Sequence, residues 1–350
     1  MSAVVAEPVR RGVSVMRIGV FGALLIALVA AMLFAIGAGR FSVSVPRIVE
    51  ILMAGAMNPG LAPAQMDERI VLLVRLPRVL LAALSGAALA VGGAALQGVF
   101  RNPLVSPQVL GISQGAAFGG AMALLFGYSG VVLLGLAFVF GLSALILVGA
   151  LARINGRTEV ITVILSGMVI GALFGALVSI IQFIADPNTS LPAIVYWLMG
   201  SFATATWARL GLAIPGMAIG LVIVFALRYR LNLLALEDSE ARSLGVNPDR
   251  ERWYVFTAIS LMTGTSVAVA GIVGWIGLVV PHAARILVGE DHRALIPASA
   301  IIGAAYLTFI DTLARTLTSA EIPLGVLTAL IGAPVFAVLL RKHFKEANRP

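Results

Sequence analysis

Side chains that could perform covalent chemistry are few and widely separated in this chain. Its 350 residues include no cysteine, and the three histidines are His282, His292 and His343. Cysteine nucleophiles, thiolate metal ligands and disulfides are therefore excluded, and the histidines are too scattered to form a metal cluster. No His with Glu or Ser with His pair recurs at matching depth, so we expect neither catalytic residues nor a metal site.

Four polar side chains stand within or beside long apolar stretches: Gln97, Gln182, His282 and Arg285. Polar residues at membrane depth usually face the interior of a helix bundle or a wet cavity. Hydrogen bonding between helices explains them equally well, so they identify no cargo ligand. His282 follows Pro281 at a helix-breaking position, which favours a structural role over iron binding.

An acidic segment at 237–245 is the most distinctive polar feature. Acidic residues at its start suit the dipole of a helix, and the closing glycine is typical of a helix end. We predict a short amphipathic helix facing the cytoplasm, although a solvated connector would have the same composition. The residues concerned are Glu237, Asp238, Glu240, Ala241, Arg242, Leu244 and Gly245.

The elements that position these groups are membrane helices. The chain is 60% hydrophobic and only 11% charged, whereas a soluble domain is about a quarter charged. The first apolar run, 18–38, exceeds the core of a signal peptide and predicts a permanent span. We predict a single all-α transmembrane domain over 1–350 with about ten spans. They are 18–38, 79–100, 111–128, 131–152, 160–184, 210–228, 254–271, 273–288, 295–313 and 323–340.

The distribution of Arg and Lys predicts the orientation of these spans. Most of these residues fall in alternate loops together with both ends, which places both termini in the cytoplasm of a bacterial inner membrane. The net charge of +8 therefore reflects loop orientation and lipid contact, not nucleic-acid binding. The long inner loop is 229–253, and the long outer loops are 39–74, with a short helix at 47–57, and 186–208.

The second predicted span, 79–100, ends in a sharply broken turn. It is rich in Gly and Ala, which lets neighbouring backbones approach closely. Asn102-Pro103 and Ser106-Pro107 then stop the helix, and a new helix begins near Gly111. A simple lipid anchor does not need such a break, so we predict that this region lines a path across the membrane.

These stretches resemble the FecCD family, the transmembrane subunits of type II ABC importers for iron–siderophore, haem and cobalamin. The matches follow the family order from residue 75 onward, whereas residues 1–70 match only in hydropathy. They are RLPR at 75–78, GAALAVGGAALQGVFRNPL at 86–104, LGISQGAAFG at 110–119, LEDSEARSLGV at 236–246, GWIGLVVPHAARILVGEDHR at 274–293 and LARTLTSAEIPLGVLTALIGAPVF at 313–336.

The resemblance implies a type II importer permease of ten helices that pairs with a second copy of itself. Two cytoplasmic ABC ATPase subunits and a periplasmic substrate-binding protein would complete the assembly. The chain lacks a G-x-x-x-x-G-K-[ST] phosphate loop, so ATP and Mg²⁺ belong to the partner ATPase and no cofactor is expected here. By the same resemblance, 237–245 is the coupling helix that sits in a cleft of the ATPase.

Three arginines at outer ends of spans are implied docking residues. In the family, arginines at the positions of Arg75, Arg78 and Arg315 pair with glutamates of the binding protein. Such exposed pairs would steer and orient the partner more than they add affinity. Contact with lipid phosphate or an internal pair remains open, since Asp311 lies one helical turn before Arg315.

The resemblance also implies a translocation gate at Asn102, Pro103 and Leu104, where the inner turn would narrow the cytoplasmic mouth of the path. A plain helix break remains the alternative. The second gate of the family falls near 155–161, where the sequence matches poorly, and no residue is assigned there.

The expected cargo is a ferric siderophore or a similar iron chelate. Without thiolates or clustered imidazoles, the path suits an intact complex better than free iron. Haem, cobalamin and molybdate remain open as cargo. An ion-coupled secondary transporter would need carboxylates in mid-span, and only Asp311 comes close. An intramembrane enzyme would need paired catalytic groups.

Overall fold

A computed structural model of the chain describes residues 6–39, 41–57, 63–154 and 157–347. Their regular structure is helical except for one antiparallel pair of two-residue strands, β1 (Arg153–Ile154) and β2 (Arg157–Thr158). Helices α1 to α14 are Ala6–Gly37, Val45–Met57, Met66–Arg69, Leu76–Phe100, Ile112–Leu125, Gly130–Ala152, Val160–Ile184, Ser190–Leu198, Trp207–Leu234, Asp238–Ser243, Pro248–Ala270, Ile276–Val288, His292–Thr316 and Leu324–Ala347.

Each of the ten predicted spans corresponds to one helix, in chain order. Seven helices in the described residues are long and apolar enough to cross a membrane, and α5, α12 and the apolar part of α14 are shorter. The all-α polytopic fold is therefore confirmed. Helices α2, α8 and α10 lie in the predicted loops, and α2 agrees with the helix predicted at 47–57. The division into a single domain stays a prediction.

The helix of the second span begins before the predicted start of the span at 79. A continuous helical segment of 35 residues runs over Met66–Phe100, because a π-helical turn, Ile70–Arg75, joins α3 to α4. Pro77 has no amide hydrogen and would interrupt a regular helix. The wider turn absorbs this interruption, and the amide of Leu76 donates to the carbonyl of Val71. The arginines at this point marked a loop in the sequence, whereas they lie within the helical segment.

The predicted inner loop, 229–253, is partly helical. Helix α9 continues to Leu234, well past the predicted loop start at 229, because a helix need not end where the membrane does. Only 235–237 then separate α9 from α10, so the acidic segment is held close to the ends of the membrane helices.

Helices α4 and α11 form the centre of the bundle, with most of their length buried, whereas few residues in the apolar stretch of α1 are buried. Close contacts with glycines fix α4. A carbon added at Gly86 would lie 2.1 Å from the carbonyl oxygen of Gly303 in α13, and one at Gly93 would lie 1.8 Å from that of Gly277 in α12. The backbone of α4 therefore packs directly against the backbones of α12 and α13, which leaves α4 little room to shift.

Candidate functional site at the two ends of helix α4

The acidic segment forms the predicted helix. Helix α10 begins after the extended residue Glu237 and ends at Ser243. Leu244 caps it, and Gly245 follows with a φ of +80°. Ala241 is buried, whereas Glu240, Arg242 and Leu244 are exposed. The helix thus anchors itself through one small apolar residue and leaves its charged surface free to contact another molecule. Contact with an ATPase stays a prediction.

Asp238 at the start of α10 is held by two arginines from different elements. Arg252 of α11, itself buried, donates to both carboxylate oxygens at 2.6 and 3.0 Å. Arg101, at the end of α4, donates to one of the same oxygens at 3.0 Å. The hydrogen bond from Arg252 lowers the pKa of Asp238 below its ordinary value, so the side chain is a carboxylate at neutral pH.

The turn after α4 is the predicted helix break. The amide of Asn102 donates to the carbonyl of Gln97 and that of Arg101 to the carbonyl of Gly98, the pattern of a Schellman helix end. The side-chain oxygen of Asn102 then accepts from the amide of Leu104 at 2.9 Å. Leu104 is exposed, so the 102–104 turn projects an apolar tip. Its role as a gate stays a prediction.

A cavity of about 610 Å³ lies beside this turn. Three of the four polar residues singled out in the sequence, Gln97, His282 and Arg285, line it. Arg285 of α12 donates to the side-chain oxygen of Gln97 in α4, which is the hydrogen bonding between helices that the sequence left open. Asp291 also lines it, and a hydrogen bond from Arg293 lowers the pKa of this carboxyl to about 2. Its lining comprises Gln97, Gly98, Arg101, Asn102, Pro103, Leu104, Asn232, Ala235, Leu278, His282, Arg285, Glu290, Asp291, His292 and Phe336.

At the other end of α4, Arg78 is enclosed by two carboxylates. It contacts Asp311 of α13 at 2.8–3.2 Å and Glu321 at 2.8 and 2.9 Å. Only 11% of the Arg78 side chain and 2% of the Asp311 side chain are exposed. This geometry matches the internal pairing that the sequence left open, except that Asp311 pairs mainly with Arg78 and approaches Arg315 only to 3.9 Å.

Arg75 and Arg315 complete the end of helix α1. Arg75 donates to the carbonyl of Ile36 at 2.6 Å, and Arg315 donates to the carbonyl of Ala38 at 2.7 Å and to that of Ala35. The last carbonyls of a helix have no partner within it, so these guanidinium groups supply the missing donors. All three predicted docking arginines thus have internal partners, and their pairing with a binding protein stays a prediction.

Sequence reasoning missed the partners that define both ends. None of Arg101, Arg252 and Glu321 was singled out in the sequence. Their contacts join positions far apart in the chain. Arg101 and Asp238 are 137 residues apart, and Arg78 and Glu321 are 243 residues apart. No periodic pattern reports such pairs. The one available signal for Arg101 was its place beside the Asn-Pro break.

Comparison with known proteins agrees with this architecture. The model of the FecCD transport family matches residues 25–342. The molybdate import system permease protein MolB of Haemophilus influenzae is 43% identical over 92% of this chain and 95% of its own length. The cobalamin import system permease protein BtuC of Halobacterium salinarum is 41% identical over 77% of this chain and 72% of its own length.

A solved structure gives the same result for the fold. An inward-facing structure of a metal-chelate type ABC transporter superposes with a TM-score of 0.83 and 40% identity, covering 92% of this chain and 98% of that one. Family, relatives and fold agree on a multi-pass permease of the inner membrane. The chain belongs to the FecCD transport family, the permease subunits of type II ABC importers.

Proposed function

We propose that this chain is the membrane-spanning subunit of an ATP-driven importer that carries an intact iron chelate of the ferric-siderophore type. Two copies would pair, and the cargo would pass along their interface. The observation that carries the proposal is the contact at 3.0 Å between the coupling helix α10 and the residue before the 102–104 turn. It joins a surface free to meet an ATPase with the inner end of a membrane helix.

The distribution of charge supports the orientation in this proposal. Arg101 and Asp238, both predicted on the cytoplasmic side, contact each other directly. Arg78 and Glu321, near predicted outer ends of spans, also contact each other. Ten crossings, with both termini in the cytoplasm, are consistent with these two groups lying at opposite ends of α4.

The surface of α10 supports a separate ATPase subunit. Glu240, Arg242 and Leu244 are exposed and combine both charges with an apolar side chain at the end of a short helix. We propose that this helix inserts into the ATPase, as the resemblance implies, while a periplasmic binding protein delivers the cargo to the opposite end of the bundle. ATP and Mg²⁺ would then act on the partner alone.

Molybdate is the second candidate cargo. It is favoured by the similarity to the molybdate permease MolB, which extends over 92% of this chain, further than the similarity to the cobalamin permease BtuC. The two candidates differ chemically, since molybdate is a small tetrahedral oxyanion and a siderophore complex is a bulky chelate.

A secondary transporter is disfavoured by the state of the buried carboxylates. Ion coupling requires a carboxylate that can exchange a cation at membrane depth. Asp311 is buried but is engaged by Arg78 through bonds of 2.8–3.2 Å. A carboxylate held in this way by a guanidinium would have to break a buried ion pair for each ion it bound, which is costly.

Uptake into proteoliposomes tests the proposal. The vesicles would hold this chain with its ATPase, with the binding protein outside and ATP inside, and radiolabelled ferric siderophore, molybdate, haem and cobalamin would be supplied in parallel. We expect uptake of one cargo that requires ATP and disappears with an ATPase unable to hydrolyse it. Uptake driven by an ion gradient without ATP would contradict the importer, and ATP-dependent uptake of molybdate alone would replace the iron chelate as cargo.

A further inference from the structure

The ion pair between Arg101 and Asp238 joins two segments that otherwise touch the bundle separately. Asp238 is the first residue of α10, and Arg101 is the residue immediately before the 102–104 turn. The pair measures 3.0 Å, and both side chains are more than a third exposed, at 38% and 39%. Any displacement of the start of α10 would therefore act on the chain at the point where α4 ends.

Arg101 occupies a backbone conformation that favours glycine. Its φ is +50°, and Trp275 is the only other non-glycine residue with a positive φ in the described part of the chain. Such helix ends usually carry glycine because a side chain is strained there. Strained backbone of this kind is typical of functional positions. At this position, the side chain of Arg101 reaches α10.

The contacts of Arg101 bracket the short link between α9 and α10. Its Nε donates to the carbonyl of Leu234, the last residue of α9, at 3.3 Å. Its Nη2 donates to Asp238, the first residue of α10, at 3.0 Å. The guanidinium of Arg101 therefore contacts both α9 and α10. We expect insertion of α10 into the ATPase to change the position of α10 relative to α9.

Space for such a change lies directly beside the pair. A cavity of about 380 Å³ opens there, lined by the Arg101–Asp238 pair and by Glu159 and Val160 at the start of α7. Arg252 also lines this cavity, but it is only 4% exposed and holds Asp238 from the side of α11. The carboxylate therefore has a buried partner on one side and, on the other, an exposed partner beside open space.

Resting on the proposed function, we propose that the Asp238–Arg101 pair is the link through which movement of α10 reaches the 102–104 turn. Asp238 and Arg101 are positioning residues, since neither touches cargo or nucleotide. ATP binding by the partner displaces α10, the carboxylate carries the guanidinium with it, and the turn that follows Arg101 changes its position.

The test compares two aspartates that each bind an exposed arginine on this surface. Asp238→Asn keeps the shape of the side chain but removes its charge. Asp249→Asn removes the charge of the residue that accepts from Arg242 at 3.2 Å, without contact to Arg101. Both variants are studied in the complete importer with its ATPase and binding protein, and transport per ATP hydrolysed is measured. We expect a fall of about tenfold for Asp238→Asn, within the usual range of coupling between sites. We expect a markedly smaller fall for Asp249→Asn, which alters a contact of α10 but leaves the pair with Arg101 intact.

A spin label reports the turn directly. Because the chain has no cysteine, Leu104→Cys gives a single labelling site on the exposed tip, and Leu244→Cys gives one on α10. In the otherwise unaltered protein, we expect ATP to change the spectra at both positions. In Asp238→Asn, the change at 244 persists and the change at 104 is lost. A merely structural role for Asp238 would not separate the two positions.

Arg101→Gln supplies an independent check. It removes the other half of the pair, so it should reproduce the coupling loss, and the double variant with Asp238→Asn should be no worse than either single variant. Additive losses, or a normal response at 104 in Asp238→Asn, overturn the link while leaving the importer intact. A failure of ATP to move either label in the unaltered protein would instead refute the proposed function, and the link with it.

Discussion

Helix α4 carries an arginine with acidic partners at each end, and the two arrangements are opposite in character. At the outer end, 11% of the Arg78 side chain is exposed and its partner Asp311 is exposed by 2%. At the inner end, Arg101 and Asp238 are exposed by 38% and 39%. The same chemical pair is therefore enclosed in one place and open to water in the other.

The difference in burial determines how much free energy is lost when each ion pair is broken. Removing one partner of a buried ion pair leaves an uncompensated charge and costs about 3–5 kcal/mol. An exposed pair contributes only about 0–1 kcal/mol, so a change in its position during a working cycle costs little. The outer end is suited to hold α1, α4 and α13 together, whereas the inner end is suited to move.

The largest expected effect is the loss of the outer pair. Arg78→Met would leave Asp311 charged and buried and would remove a partner of Glu321, so we expect the free energy of unfolding to fall by about 3–5 kcal/mol. Unfolding in mixed detergent micelles measures the change. Arg101→Met is the matched control at the inner end and should cost about 1 kcal/mol or less. Equal losses for the two variants would remove the distinction between the ends.

An intermediate loss of stability is expected for substitutions in the middle of α4, where its backbone packs closely against α13. Gly86→Ala would place a carbon 2.1 Å from the carbonyl oxygen of Gly303, and the resulting overpacking should cost about 1–3 kcal/mol. Gly92→Ala is the matched control, because the nearest atoms lie 3.6 Å away. If both glycines tolerate alanine equally in the same unfolding measurement, α4 is not held by close contact with α13.

The smallest expected effect is the dependence of stability on Asp238 protonation. Because Arg252 lowers the pKa of Asp238 in the folded protein, the carboxylate favours folding above its ordinary pKa of 3.8. That contribution is lost as the pH falls through the lower, folded value. The unfolding free energies of Asp238→Asn and of the unaltered protein should differ at pH 7 by less than the loss expected for Arg78→Met, because the asparagine oxygen still accepts from the buried Arg252. The difference should vanish in acid, and a difference that grows in acid would contradict the assignment.

Hydropathy and the family motifs predicted the spans, the helix α10 and the break after α4, because these depend on local composition. Hydropathy did not predict that the helix of the second span begins well before Arg75 and Arg78, or that partners elsewhere in the chain bury these two arginines. Asp311 lies 233 positions from Arg78, and a single sequence holds no record of such a contact. The family motifs at 236–246 and 86–104 identified Asp238 and the turn at Asn102 as separate features. Only the folded structure shows that Arg101 connects them.

Hydrogen exchange along α4 in the complete importer tests the central claim most directly. Amides at 76–84 and at 98–106 would be followed by mass spectrometry, with the partner ATPase free of nucleotide and then trapped with ATP. If the outer end of α4 stays fixed and the inner end moves, ATP changes the rate of amide exchange at 98–106 by about threefold or more and leaves the rate at 76–84 unaltered. An unchanged rate at 98–106, or equal changes at both ends, would contradict the account.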